Sequence, residues 1–102
     1  MRPNSRRSET IETRAVLSAL TGLKNDSRLA IYRGLVQAGA LGMTPSCISR
    51  ELGIPPSTLS FHLKELSHAQ LVTAVPEGRS ITYLVNHDTM ASVISFLTDN
   101  CC

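Results

Sequence analysis

The chain has 102 residues, 42% of them hydrophobic, with 10 Lys and Arg against 8 Asp and Glu. This length fits one domain with a single core and excludes a multidomain enzyme. The net charge of +2 neither requires nor excludes a nucleic-acid partner. No apolar run approaches the roughly 18 residues of a membrane span, and no secretory signal is present, so we expect a soluble, cytoplasmic protein without a membrane partner.

Helical patterns dominate the first part of the chain. Residues 1–8 are polar and basic without periodicity, and we interpret them as a flexible basic arm before a domain that spans residues 9–100. Apolar residues recur at helical spacing from Glu9 to Leu23. After a break at Asn25-Asp26-Ser27, which offers helix caps, a second helix is predicted from Arg28 to about Ala38.

The middle of the chain predicts two short helices joined by a tight turn. Thr44 and Pro45 can cap and open a helix that ends at Leu52, and Gly53 suits the left-handed position that follows. The next helix runs from about Ser57 to Ala69. Two short helices with a Gly-containing turn between them are typical of a helix-turn-helix.

Two β-prone segments and a final helix complete the predicted elements. Residues 71–75 and 80–85 flank a Gly-containing turn with Arg79 near its tip, which indicates a β-hairpin. Asp88 can cap a last helix from Thr89 to about Asp99. The order ααααββα is mainly helical with a hairpin wing, and it predicts a winged helix-turn-helix whose second motif helix enters the DNA major groove.

The helix that begins near Ser57 has the composition of a DNA-reading helix. If Leu59, Leu63 and Leu66 point inward, then hydroxyl residues, Phe61 and a lysine point outward, where they suit phosphates, base edges and thymine methyl groups. The hydroxyl cluster could simply cap the helix, but an exposed phenylalanine is unfavourable unless a partner covers it. His62 lies closer to the inward stripe, so the spacing is compatible with either a contact in the DNA groove or a packing role. The predicted DNA-contacting residues are Ser57, Thr58, Ser60, Phe61, His62, Lys64, Arg79 and Arg50.

Several segments resemble the ArsR/SmtB family of bacterial repressors, over roughly residues 12–100. The likeness lies in Leu-Lys-Asn-Asp-Ser-Arg-Leu-Ala-Ile-Tyr (23–32) and in Leu-Ser-Phe-His-Leu-Lys-Glu-Leu (59–66), which is similar to the family's Ser-x-His-Leu recognition helix. Residues 69–72 and 77–83 look like its helix exit and wing. The resemblance implies a homodimer through the first and last helices that binds palindromic operator DNA as a repressor, with half-sites about 34 Å apart.

The resemblance also implies where an inducer binds. The family's zinc pattern on the last helix is incomplete, because His87 and Asp88 stand at its start but no His follows. Near the helix-turn-helix only Cys47 is present, and we interpret it as a buried small hydrophobe. The C-terminal pair Cys101 and Cys102 resembles the vicinal thiols of arsenic-responsive members. It implies a trivalent arsenical inducer at these soft ligands and no permanent cofactor.

Two thiolates satisfy an organoarsenical such as methylarsenite, which is therefore favoured over arsenite. Arsenite would need a retained hydroxide or a third thiol, and that thiol would be missing, come from Cys47 or lie in a tail beyond Cys102. The alternatives with the same fold are a repressor that responds to oxidants or to another metal, or cysteines without a role. Catalysis is not expected, because no nucleophile and base stand at a recognisable spacing and no Gly-rich phosphate loop is present.

Overall fold

The computed structural model describes the backbone of residues 3–99 and the side chains of residues 12–99. Its elements are the helices α1 (Pro3–Leu23), α2 (Asp26–Ala38), α3 (Pro45–Leu52), α4 (Pro56–His68) and α5 (His87–Thr98), the strands β1 (Val72–Glu77) and β2 (Ser80–Val85), and a 3-10 turn at Gly39–Leu41. Within residues 3–99, five α-helices and one antiparallel hairpin thus confirm the predicted winged helix-turn-helix. No helix in this part of the chain has the length and apolar character needed to cross a bilayer.

The first helix begins earlier than the sequence predicts. Residues 1–8 are predicted to be a flexible arm, but α1 starts at Pro3, so the expected boundary at residue 9 falls inside the helix. Proline is well suited to the first turn of a helix, and the polar residues after it can propagate a helix without an apolar stripe. Residues 1 and 2 lie outside the described part of the chain.

Short polar side chains and glycine define the helix ends. Asn25 caps α2 by accepting hydrogen bonds from two backbone N–H groups of the first turn, and Thr44 caps α3 by accepting one from the backbone N–H of Cys47. Gly53 ends α3 at φ 67°, in the left-handed region, as predicted. The prediction for α5 is wrong in its cap: Asn86 caps the helix, while Asp88 lies in the first turn, where its negative charge favours the helix dipole.

The wing is a tighter hairpin than predicted. The strand pairing runs from Val72 opposite Val85 to Glu77 opposite Ser80, so the turn contains only Gly78 and Arg79. Gly78 has φ 62°, the conformation that a two-residue hairpin turn requires. Residues 76 and 77, predicted to belong to the turn, extend β1 instead. A proline is tolerated there, since a two-stranded hairpin has only edge strands.

A close backbone contact fixes the wing against the helix-turn-helix. Met43, just before α3, exchanges two backbone hydrogen bonds with Tyr83 of β2, at 3.0 and 2.8 Å. The preceding Gly42 has φ 65°, and a Cβ atom on it would lie 2.6 Å from the Tyr83 carbonyl oxygen. Only glycine therefore fits at this contact, and the wing has a defined position relative to α3.

The hydrophobic core lies under α4. Leu59, Leu63 and Leu66 have 1%, 3% and 0% of their surface exposed, which confirms the inward stripe predicted from their spacing. They pack with buried apolar residues from the other elements, including Val16, Ala19, Ile31, Leu35, Ile48, Leu71 and Val93. The opposite face of α4 is consequently turned away from the protein.

Candidate nucleic-acid interface

The outward face of α4 is polar, with one large aromatic side chain. Ser57, Thr58, Ser60 and Lys64 are all exposed. Phe61, between them, has 56% of its surface exposed. The face predicted from helical spacing is therefore the face that the fold presents to solvent.

Phe61 has an unusual environment for an aromatic ring. Phe61 lies on α4 but does not belong to its buried leucine stripe. The centroid of its ring is 5.7 Å from that of the His62 ring, and the two rings are tilted relative to each other. Complete burial of such a side chain is worth about 1.5–3 kcal/mol, and at 56% exposure much of this is not realised within the protein. A surface that covered the ring, such as a thymine methyl group, would recover the remainder.

His62 does not belong to the outward face. It is 8% exposed, and its Nδ1 atom lies 3.4 Å from Nη1 of Arg28 on α2. Because a guanidinium group can only donate hydrogen bonds, Nδ1 is the acceptor and the neutral ring carries its proton on Nε2. Burial and, second, the charge of Arg28 lower the pKa of His62, so the ring is neutral at neutral pH. Of the two predicted roles for His62, the structure supports packing, which removes it from the groove-contacting set.

A cleft between α3 and α4 brings together residues from both helices. It has a volume of about 300 Å³, and its lining includes Arg50, in the last turn of α3, and Ser60 of α4. Ser46, which the sequence reasoning missed, lines the same cleft and is exposed. Its position just after the Thr44 cap is the signal that could have identified it, because backbone N–H groups at a helix start attract phosphate oxygens.

Arg79 lies on a separate element, at the tip of the wing. It is exposed and directly follows Gly78 in the two-residue turn. The neighbouring carboxylate of Glu77 accepts a hydrogen bond from the Thr82 hydroxyl at 3.1 Å. Arg79 is therefore carried by a short, defined hairpin and is separate from the α3–α4 cleft.

Cys47 on α3 and His87 on α5 do not belong to a metal site among residues 12–99. Within these residues, no group of three or more His, Cys, Asp and Glu side chains is arranged to hold a metal ion. His87 and Asp88 are exposed in the first turn of α5. Cys47 is half-buried rather than buried, because it lies in the first turn of α3 at the edge of the core. Cys101 and Cys102 lie outside the described residues.

Comparison with known proteins supports the same motif. A family model for a helix-turn-helix domain matches residues 23–75, just over half of the 102-residue chain. No curated protein matches the chain in sequence.

Three solved structures illustrate the likeness of the fold. An ArsR-like transcriptional regulator from Rhodococcus sp. RHA1 superposes with a TM-score of 0.74 at 22% identity, covering 83% of this chain and 77% of that one. A homodimeric winged helix-turn-helix DNA-binding domain from Mycobacterium bovis gives 0.69 at 21% identity, covering 94% and 85%. The transcriptional repressor BigR from Xylella fastidiosa gives 0.64 at 21% identity, covering 100% and 99%.

Proposed function

Because the chain belongs to the helix-turn-helix domain family, we propose that it is a DNA-binding transcriptional regulator that reads its operator with α4. The outward face of α4 carries this proposal, since it places exposed hydroxyl groups, Lys64 and a 56% exposed Phe61 on a helix whose other face is core. An α-helix fits the major groove of B-form DNA, where these side chains can meet base edges. The proposed role is regulatory rather than enzymatic. The proposed location of the protein is the cytoplasm, where it meets the DNA.

The exposed side chains divide into two kinds of DNA contact. On α4, Lys64 donates to guanine acceptors, Phe61 covers a thymine methyl group, and Ser57, Thr58 and Ser60 donate to bases or phosphates. Outside α4, Arg50 and Arg79 neutralise phosphates. The first kind sets the sequence that is bound, whereas the second sets affinity and its dependence on salt.

The regulator acts as a homodimer through α1 and α5. These two helices pack on each other and expose large apolar side chains: Leu17 and Leu20 on α1, and Ile94 and Leu97 on α5, each 40–59% exposed. Four large apolar side chains exposed on two neighbouring helices favour an interface, because monomers rarely leave large apolar patches uncovered. The homodimeric domain from Mycobacterium bovis supports this arrangement. Sedimentation tests it, and a monomer at micromolar concentration would contradict it.

A dimer of this kind binds a palindromic operator, with two α4 helices in successive turns of the major groove about 34 Å apart. In the proposed cycle, the free dimer represses transcription, a role supported by the likeness to the repressor from Xylella fastidiosa. An inducer then releases the DNA.

The proposed inducer is a trivalent arsenical at Cys101 and Cys102, with methylarsenite favoured over arsenite. Adjacent thiolates are soft ligands, and a methylated trivalent arsenical needs two sulfurs. In sequence, Cys101 follows the end of α5 at Thr98 by three residues, and α5 is the helix that carries the exposed Ile94 and Leu97 of the proposed interface. A coupling of about 1–3 kcal/mol would weaken operator binding roughly 5- to 150-fold. A repressor that responds to oxidants or to another metal is the alternative.

Two experiments test this function. In the first, wild-type protein selects binding sites from a library of random double-stranded DNA, and enrichment of a palindrome is expected. A library that stays random would contradict the DNA-reading function.

In the second experiment, the reduced protein is bound to a fluorescently labelled copy of that palindrome. The complex is titrated separately with methylarsenite, arsenite and zinc, and the anisotropy of the DNA reports its release. Release by stoichiometric methylarsenite is expected for the wild type and not for Cys101→Ser or Cys102→Ser. Variants that bind the DNA and are still released would refute the cysteine site, and release of the wild type by peroxide alone would favour the redox alternative.

A further inference from the structure

One side chain connects three helices around the DNA-reading element. Arg28 lies in α2, and its Nε atom donates to the carbonyl oxygen of Gly22, near the end of α1, at 2.7 Å. Its Nη1 atom donates to Nδ1 of His62 in the middle of α4, at 3.4 Å. A guanidinium is a rigid, planar fork, so the two acceptors are held in a fixed relative position.

Gly22 supplies a second connection between α1 and α4. It packs so closely that a Cβ atom on it would lie 2.9 Å from Cβ of Ala69, the residue after α4, and 2.9 Å from Cδ1 of Leu71. The last turn of α1 therefore contacts the residues that directly follow α4 and, through Arg28, His62 within α4. Two such contacts hold the C-terminal half of α4 against α1.

His62 is well placed to transmit this constraint. It is 8% exposed on the inward side of α4, while its sequence neighbour Phe61 is 56% exposed on the outward side. A change in the position of His62 therefore moves the outward face without any contact between His62 and DNA. Because α1 also packs on α5, the connection extends to the helix that precedes the cysteine pair.

We propose, on the basis of the proposed DNA-reading function, that Arg28 and His62 are positioning residues that hold α4 at the angle at which its outward face fits the major groove. Neither residue touches the DNA. Movement of α1 reaches α4 through this pair, and loss of the pair lowers DNA affinity even though every exposed side chain of α4 is retained.

Four variants separate positioning from folding and from charge: His62→Asn, His62→Gln, Arg28→Lys and Arg28→Ala, the last of which removes the charge altogether. His62→Asn puts an amide oxygen close to the position of Nδ1 and keeps the acceptor for Arg28, whereas His62→Gln puts its amide near Nε2 and loses it. Arg28→Lys keeps the charge but replaces the fork by a single ammonium group, which cannot bridge Gly22 and His62 in the same way.

The readouts are affinity for the palindrome selected by the wild type, the salt dependence of that affinity, and unfolding by urea. We expect Arg28→Lys and His62→Gln to bind about tenfold more weakly, equivalent to one charge-assisted hydrogen bond, with an unchanged salt slope. His62→Asn should bind nearly as well as wild type. Equal binding by His62→Asn and His62→Gln would overturn the proposal, and so would a smaller salt slope in Arg28→Ala, which would indicate a phosphate contact.

The tautomer of His62 provides a test that needs no variant and no DNA. Long-range proton–nitrogen NMR spectra of the wild-type protein should show a neutral ring protonated on Nε2, because Nδ1 accepts from Arg28. A ring protonated on Nδ1 would overturn the pairing. If the wild type selects no DNA site, the proposed function fails, whereas the pairing is still decided by these spectra.

Discussion

Replacement of Phe61 by alanine should weaken DNA binding more than it weakens the fold. The ring is 56% exposed, and complete burial of a phenylalanine is worth at most about 3 kcal/mol, so its loss should reduce the free energy of unfolding by only about 1 kcal/mol. Covering the exposed remainder of the ring with DNA would recover about 1–2 kcal/mol. Phe61→Ala should therefore bind the selected palindrome about 5- to 30-fold more weakly.

Leu66→Ala is the matched control on the same helix, because Leu66 is 0% exposed. It should lose about 2–5 kcal/mol of stability, which is the usual cost of emptying a core position. Urea unfolding and fluorescence anisotropy measure the two quantities for each variant. A loss of stability in Phe61→Ala as large as that in Leu66→Ala would place the ring in the core, and an unchanged DNA affinity would exclude its contact with DNA; either result would contradict the prediction.

Three further predictions concern two exposed arginines, the buried histidine and a backbone contact. Arg50→Ala and Arg79→Ala should each weaken binding to all DNA sequences and reduce the slope of log affinity against log salt by about 1, whereas an unchanged slope would place them away from phosphates. Because the folded protein lowers the pKa of His62 below 6.5, the unfolded chain binds this proton more readily. The stability due to His62 is therefore present above about pH 6.5 and is lost as the pH falls towards the lowered pKa; urea unfolding should show this decrease in the wild type, and a decrease of equal size in His62→Asn would assign it elsewhere. Gly42→Ala should cost more stability than Gly53→Ala, as measured by thermal unfolding: both have φ near 65°, but a Cβ atom at Gly42 clashes with the wing at 2.6 Å, whereas one at Gly53 has open space among the described residues. Equal costs would contradict the clash.

The faces and caps of the central helices could be predicted because they depend on local sequence. The spacing of Leu59, Leu63 and Leu66 fixed the inward side of α4, and the Thr44-Pro45 and Gly53 signals placed the ends of α3. Such features depend on helical periodicity and on the geometry of a single residue, so they survive without knowledge of the tertiary contacts.

Features that depend on tertiary contacts were not predictable. His62 is 34 residues away from Arg28 in sequence, and nothing in the spacing of either residue indicates the pair. The conformation of the chain after α4 was also not predictable, because Gln70 adopts φ 63°, a value usually taken by glycine or asparagine. The cap of α5 was not predictable either, since Asn86 and Asp88 are both acceptable N-caps and only the structure distinguishes them.

Whether α4 reads DNA sequence can be measured by repeating the site selection with altered α4 side chains. Wild type, Lys64→Ala and Phe61→Ala are each allowed to enrich sites from the same random library, with Gln37→Ala, an exposed change on α2, as the control. We expect the wild type and the control to enrich one palindrome, and each α4 variant to lose its base preference at a symmetry-related pair of positions in that palindrome. Enrichment of the same sites by all four proteins, with the same base preference at every position, would contradict sequence reading by α4.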